Sequence, residues 1–389
     1  MFFEILLAIL FGILSGVFTG LIPGLHINLV AIIAITLPYD PILLTIFIIA
    51  MSITHTFLDC IPGIFLGAPD PSLAITALPA HKLLHKGQGY QAAVDMLDGS
   101  FLGLVVSTLL APVLYVIVIK IQPLLQPIIG YILLALILIL IWQERDPKKA
   151  IIYFLLSGIL GILTLSMDQF EQPLLPLLSG LFGVSLLLES LQTNTKIPKQ
   201  ETTTKKLKNK TKPLAASIFI GFFAAFLPGF GASQASIFAA KVTKENTPRL
   251  FLFANGAINT IAMALSLVTL LAIGKARNGS VVAIQEITEL TIKNATLLVA
   301  IILVVATLAY LLGNALAKQA ANYITKLPYK QTVISVILVI TAAVVYFDAY
   351  LGFLLLLTAT ALGWLAQKHG VAKHYLLGCL LLPVLLFFL

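Results

Sequence analysis

The stretch GVFTGLIPGLHIN at residues 16–28 recurs in outline as GFFAAFLPGFGAS at residues 221–233. Each is a Gly-rich apolar run interrupted by Pro-Gly, at Pro23-Gly24 and at Pro228-Gly229, 205 residues apart. Proline has no N–H to donate and its ring clashes with the preceding turn, so a helix must break at each place. A second pair follows in the same order. GAPDPS at residues 67–72 is loosely echoed by GKARNGS at residues 274–280, with Gly67 and Gly274 separated by 207 residues. Two motifs at nearly one offset mark an internal duplication.

The rest of the chain sets the medium in which these breaks lie. Of 389 residues, 59% are hydrophobic and only 10% are charged, with a mean hydropathy of +1.04. Soluble domains carry about 25% charged residues. Soluble enzymes, secreted disulfide scaffolds and disordered chains are therefore excluded, and a polytopic membrane protein remains. At roughly 20 residues per span there is room for about ten to twelve helices. The apolar runs are long and lack strict alternation, so the fold class is all-α and not a barrel. In lipid, a broken helix survives only where protein or a water-filled cavity satisfies the freed backbone groups. Matching breaks in two halves are the sequence signature of a secondary transporter built from repeats. The expected organisation is a first transmembrane repeat at 1–191 and a second at 214–389, in inverted orientation.

Between them, residues 192–213 hold seven Lys against one Glu, which is most of the net charge of +8. Lys-rich short loops stay on the cytoplasmic side. The segment reads as a solvated tether, with contact to lipid headgroups as the other reading. It has no interleaved aromatic residues, so nucleic acid is not a partner. The N-terminal run lacks a basic segment and reads as a retained span in the plasma membrane. Cys60 and Cys379, both in apolar surroundings, read as buried thiols.

Polar residues at membrane depth supply the candidate sites. The half-helix after each break turns a positive dipole end toward the cavity, suited to an anion. This nominates Pro23, Gly24, His26 and Asn28 in one repeat, and Pro228, Gly229, Gly231 and Ser233 in the other, as substrate-binding. Asn255 and Asn259, one helical turn apart, offer uncharged amides for substrate or for gluing helices together. Ser72 and Arg277 lie in the paired loops, where an arginine can meet a carboxylate bidentately. His55 and Asp59 share a helix face at i, i+4. With Asp70 they form a set for ion or proton coupling, against the alternative of a structural buried pair. Asp348, between two apolar runs, reads as a turn residue. No phosphate loop, HExxH or CxxC occurs, so no catalytic residue, metal or cofactor is expected.

The stretches GVFTGLIPGLHINLVAIIAITLPYDP (16–41) and GIFLGAPDPSLAITALPAHKLLHKGQGYQAA (63–93) resemble the large permease subunit of the tripartite tricarboxylate transporters, the TctA family. The second half resembles it in Leu227-Pro228-Gly229-Phe230-Gly231 and in Asn255. The chain departs from the family pattern at His26-Ile27, where Gly-Gly is usual, at Pro69-Asp70 in place of Pro-Gly, and at Lys275-Ala276-Arg277. It resembles a short, divergent member. The resemblance implies transport of a small carboxylate-type anion, coupled to H⁺ or Na⁺, with a small membrane subunit and an extracytoplasmic binding protein as partners. A polyprenyl-phosphate translocase and a non-transport membrane scaffold or enzyme are the alternatives.

Overall fold

The computed structural model describes residues 2–22, 27–142, 144–192, 197–227, 230–244, 247–276, 278–326 and 328–389. Pro23, Gly24, His26, Pro228, Gly229 and Arg277 lie outside the described residues. Within them the protein is helical with no strand. Eight helical stretches are long and apolar enough to cross a bilayer, and three shorter apolar helices accompany them.

The first half opens with α1 (Phe2–Leu21) and α2 (Ile27–Ile35) on either side of the first Pro-Gly. Asp40 caps α3 (Pro41–Leu58), its carboxylate accepting from the Ile42 amide at 2.8 Å. Pro62 has no N–H to give the Leu58 carbonyl, and α3 ends at Leu58; α4 (Cys60–Phe65) continues beyond Asp59. Gly67 then turns the chain with φ of +70°, a conformation that favours glycine. A 3₁₀ turn (Pro71–Thr76) and α5 (Ala77–Leu84) lead into α6 (Gly89–Leu109). There follow α7 (Ala111–Leu125), α8 (Ile129–Trp142), α9 (Pro147–Leu165) and α10 (Leu174–Leu178). A π turn (Ser179–Val184) joins α10 to α11 (Ser185–Gln192).

α12 (Thr211–Phe226) and α13 (Ala232–Thr243) flank the second Pro-Gly. α14 (Pro248–Ile273) ends at Gly274, again left-handed with φ of +64°. α15 (Gly279–Ile287), α16 (Ile292–Ile324), α17 (Tyr329–Lys368) and α18 (Gly378–Phe388) complete the chain. α17 is two helices meeting at Ala349, whose φ is 49°. The two cysteines are free and buried.

Small residues bring these helices together. Gly12, Gly16 and Gly20 line one face of α1. A Cβ on Gly12 would lie 2.6 Å from the Phe47 carbonyl oxygen, one on Gly16 2.6 Å from that of Met51, and one on Gly20 2.9 Å from Leu58 Cβ. The residue numbers rise together, so α1 and α3 run parallel and the segment between them must return across the protein. α12 and α14 do the same: Ser217 donates to the Ala254 carbonyl at 3.2 Å, and Thr269 donates to that of Ala225 at 3.3 Å. α6 runs parallel to α14, with Gly99 against Phe253 and Gly103 against Ala257 and Ile261. α16 is antiparallel to α6, since Gly313 meets Leu97 while Tyr310 packs on Phe101 and donates to Asp98. α16 in turn follows the direction of α3, from Thr288 beside Thr45 to Gly313 beside Leu58. α1, α3 and α16 thus run one way, and α6, α12 and α14 the other.

The Lys-rich segment is not the free tether expected. Gln200, only 5% exposed, accepts from the Gly89 amide at 2.8 Å and donates to the Leu84 carbonyl at 3.1 Å. The Lys205 amide donates to Gln91 at 2.6 Å, and the Lys205 carbonyl accepts from Arg249 at 2.7 Å. Arg249 also grips the buried Asp95 through two bonds of 2.6 and 2.8 Å. Lys205, Lys206 and Lys208 remain exposed. Composition reports that the lysines want water; it is silent on a backbone that can dock beneath them.

The Gly99 contact gives a stability prediction. Gly99→Ala forces a methyl group against the Phe253 carbonyl and should cost about 1–3 kcal/mol. Gly183→Ala, with nothing within 4 Å of the new Cβ, should leave the thermal unfolding midpoint in detergent unchanged.

Candidate functional site

A cavity of about 260 Å³ opens where the end of α1, the start of α2, the end of α3 and the 68–70 loop converge. Its walls include Thr19 of α1, Asn28 of α2, His55 and Asp59, Asp70, Gln172, Ser179 and Ile340. The spacing of His55 and Asp59 places both at the buried end of α3, where they are 4% and 3% exposed. The break at Asp59 lets the chain turn back through Gly67, and this return carries Asp70 to within 3.5 Å of His55 Nε2. One ligand atom each from His55, Asp59 and Asp70 lies within 4.8 Å of the others.

Each carboxylate is held in place. Asp70 Oδ1 accepts from the Ser72 amide at 2.9 Å and the Ser72 hydroxyl at 2.8 Å. Asp59 Oδ2 accepts from Asn259 Nδ2 at 2.8 Å, a bond that crosses from the first half to the second. Asp59 Oδ1 is buried with no hydrogen-bond partner among the described residues. An unpaired buried carboxylate oxygen is costly unless it meets a proton or a cation. No Lys or Arg is among the described lining residues. One imidazole nitrogen and two carboxylates facing a common space form a donor set for H⁺ or a small cation.

The other predicted residues divide. Asn28 lines the cavity and Asn259 reaches it through Asp59. Asn255 does not: its amide donates to Ser236 at 2.8 Å and ties α14 to α13. Ser233 donates to the Ser72 carbonyl at 2.7 Å, bracing the Asp70 loop from behind. Gly231 stands exposed at the start of α13 and is not among the residues lining the cavity. The sequence reading missed Thr19, Gln172 and Ser179, whose only signal was a polar atom next to Gly or Pro. It also took Asp348 for a plain turn residue. Asp348 does sit at the α17 kink, but it is 4% exposed and accepts from the Glu171 and Gln172 amides at 2.8 and 2.9 Å. It therefore fixes the Gln172 wall of the cavity from a distant helix.

The model of the tripartite tricarboxylate transporter TctA family matches residues 6–378. An uncharacterized protein of Methanocaldococcus jannaschii is 34% identical over 377 residues, covering 93% of each chain. No solved structure matches.

The Asp59–Asn259 bond should couple the two halves measurably. Asn259→Ala is expected to destabilise the protein by about 1–3 kcal/mol by stripping a buried carboxylate of its donor. The same substitution should cost clearly less in an Asp59→Leu background. A double-mutant cycle on thermal unfolding measures the difference, and additive effects would show that the bond carries no stability.

Proposed function

Because the chain belongs to the tripartite tricarboxylate transporter TctA family, we propose that it is a secondary-active transporter of a small carboxylate-type anion, driven by a cation bound at His55, Asp59 and Asp70. The observation that carries this reading is the meeting of these three groups in one buried cavity beside the first helix break. The coupling ion is H⁺ or Na⁺. The family implies a small membrane subunit and an extracytoplasmic binding protein as partners, and the Lys-rich segment is assigned to the cytoplasm by its charge.

The electrostatics suggest an order of events. An anion entering a cavity that already holds a bare carboxylate about 4 Å away meets a repulsion of about 4 kcal/mol at an effective dielectric of 20. A cation bound between Asp59 and Asp70 removes that repulsion. The anion then finds the Asn28 amide and the first turns of α2 and of the helical stretch beginning at Leu174. Cation binding thus precedes anion binding, which is what couples uphill uptake to a gradient.

Alternating access is assigned to inverted repeats. In support, α1 and α12 run in opposite directions, as do α3 and α14, and α6 and α16. The contacts between halves are also exchanged. Asn28, after the first break, abuts Gly279; Ser233, after the second, bonds to Ser72. Asn28 and Ser233 are 205 residues apart, and Ser72 and Gly279 are 207 apart, the same offsets as the paired motifs. A residue meeting its partner's mate in both directions is the mark of a two-fold axis. The two contacts are read as a pair of gates that open in turn.

Reconstituted with its partner subunits, the protein should accumulate a labelled di- or tricarboxylate under an inward H⁺ or Na⁺ gradient. Asp59→Asn should reduce this uptake more than about tenfold, as expected for loss of a buried charge-assisted contact. Absence of gradient-driven uptake across a broad carboxylate panel would sink the proposal. The gates are tested separately. A disulfide between Asn28→Cys and Gly279→Cys, positions in direct contact, should stop transport reversibly. Undiminished transport by the cross-linked protein would exclude that contact as a gate.

A further inference from the structure

A second cavity, about 280 Å³, lies on the opposite side of the segment that carries Asp70. Ala68 to Asp70 face the first cavity, whereas Ala74, Ile75 and Ala77 to Pro79 face the second. Its remaining walls come from α13, from Phe251 of α14 and from the turn that precedes α18. Among the described residues its ionisable lining is Lys241, Lys373 and His374, with no carboxylate.

Lys373 is held in place. Lys373 Nζ donates to the Phe182 carbonyl at 3.3 Å and to the Ser185 hydroxyl at 3.0 Å, which leaves one of its three donors uncommitted. His374 Nε2 is buried with no hydrogen-bond partner among the described residues. Glu144 acts on Lys241 and His374, and Glu189 on Lys373; neither glutamate lines the cavity. The other walls are apolar, and a charge-assisted hydrogen bond gains strength as water is excluded.

We propose that this second cavity is an anion site, taking one carboxylate or phosphate group against Lys373, His374 and Lys241 while the rest of the ligand lies along Ile75 and Ile237. It is distinct from the cation-binding cavity at Asp59 and does not depend on the transport reading. Two sources present this chemistry: a free organic anion, and the headgroup of an anionic lipid.

The test uses the full chain with Ala240→Cys, on the cavity wall, in nanodiscs of neutral phosphatidylcholine, following the rate of maleimide labelling. Cys60 and Cys379 are buried and serve as the background. Citrate or inorganic phosphate should slow labelling at position 240. Lys373→Gln should raise the concentration for half-protection about tenfold. Lys241→Gln, at an exposed position, should act in the same direction if Lys373→Gln fails to fold. Asp59→Asn should leave protection intact, which separates this site from the proposed transport cavity. Protection in phosphatidylglycerol discs without added anion identifies the lipid as the source; protection by citrate in neutral discs identifies the free anion. Labelling that is indifferent to citrate, phosphate and phosphatidylglycerol, or protection unchanged in both lysine variants, overturns the proposal.

Discussion

A bilayer offers no water to a broken helix, and this constraint governs the protein. Proline at position 62 leaves the Leu58 carbonyl without its helical donor, and α3 stops there. Backbone freed in this way can exist at membrane depth only when other protein surrounds it. That requirement explains why α3 is among the most buried of the span-capable stretches, while α1, packed on one face only, is among the least. It also explains the glycines. Close burial of a break needs helices that approach to backbone contact, and Gly16 on α1 and Gly99 on α6 provide that approach. Lipid tails are as apolar as leucine, so tight packing rather than hydrophobic exclusion holds such helices together.

The break then becomes the place where polarity can be kept. Asp59 sits in the interruption, where Asn259 donates to one carboxylate oxygen and the residue lines the cavity. Asp70 arrives from a loop that the left-handed Gly67 turns back toward His55. The same loop is braced by Ser233 from the second half. One structural necessity thus produces both a charged pocket and a mechanical link between halves.

The two cavities divide the charges of a salt between them. One presents an imidazole and two carboxylates, and the other presents two lysines and a histidine. A single segment, residues 68–79, separates them. In a low-dielectric interior, cations and anions are most cheaply held apart from like charge and near opposite charge. The segment that carries Asp70 thus keeps an acidic and a basic cavity on its two sides.

Composition and periodicity determined a great deal. They required an all-helical membrane protein and picked out His55 and Asp59 as a pair on one helix face; the break at Pro62 and the approach of Asp70 to His55 came from the fold. The reason is that an ionisable group in a long apolar run is expensive and therefore conspicuous without any structure. The paired offsets of 205 and 207 residues were equally open to inspection. Tertiary structure alone decided the rest. That Asn259 belongs to Asp59 while Asn255 belongs to Ser236 depends on which face of α14 meets α3 and which meets α13. That Asp348 shapes a cavity wall 176 residues earlier in the chain depends on where α17 kinks. That the Lys-rich segment docks depends on backbone groups, which composition does not register. Sequence shows which side chains cannot be left alone in lipid; only packing shows which partner each one finds.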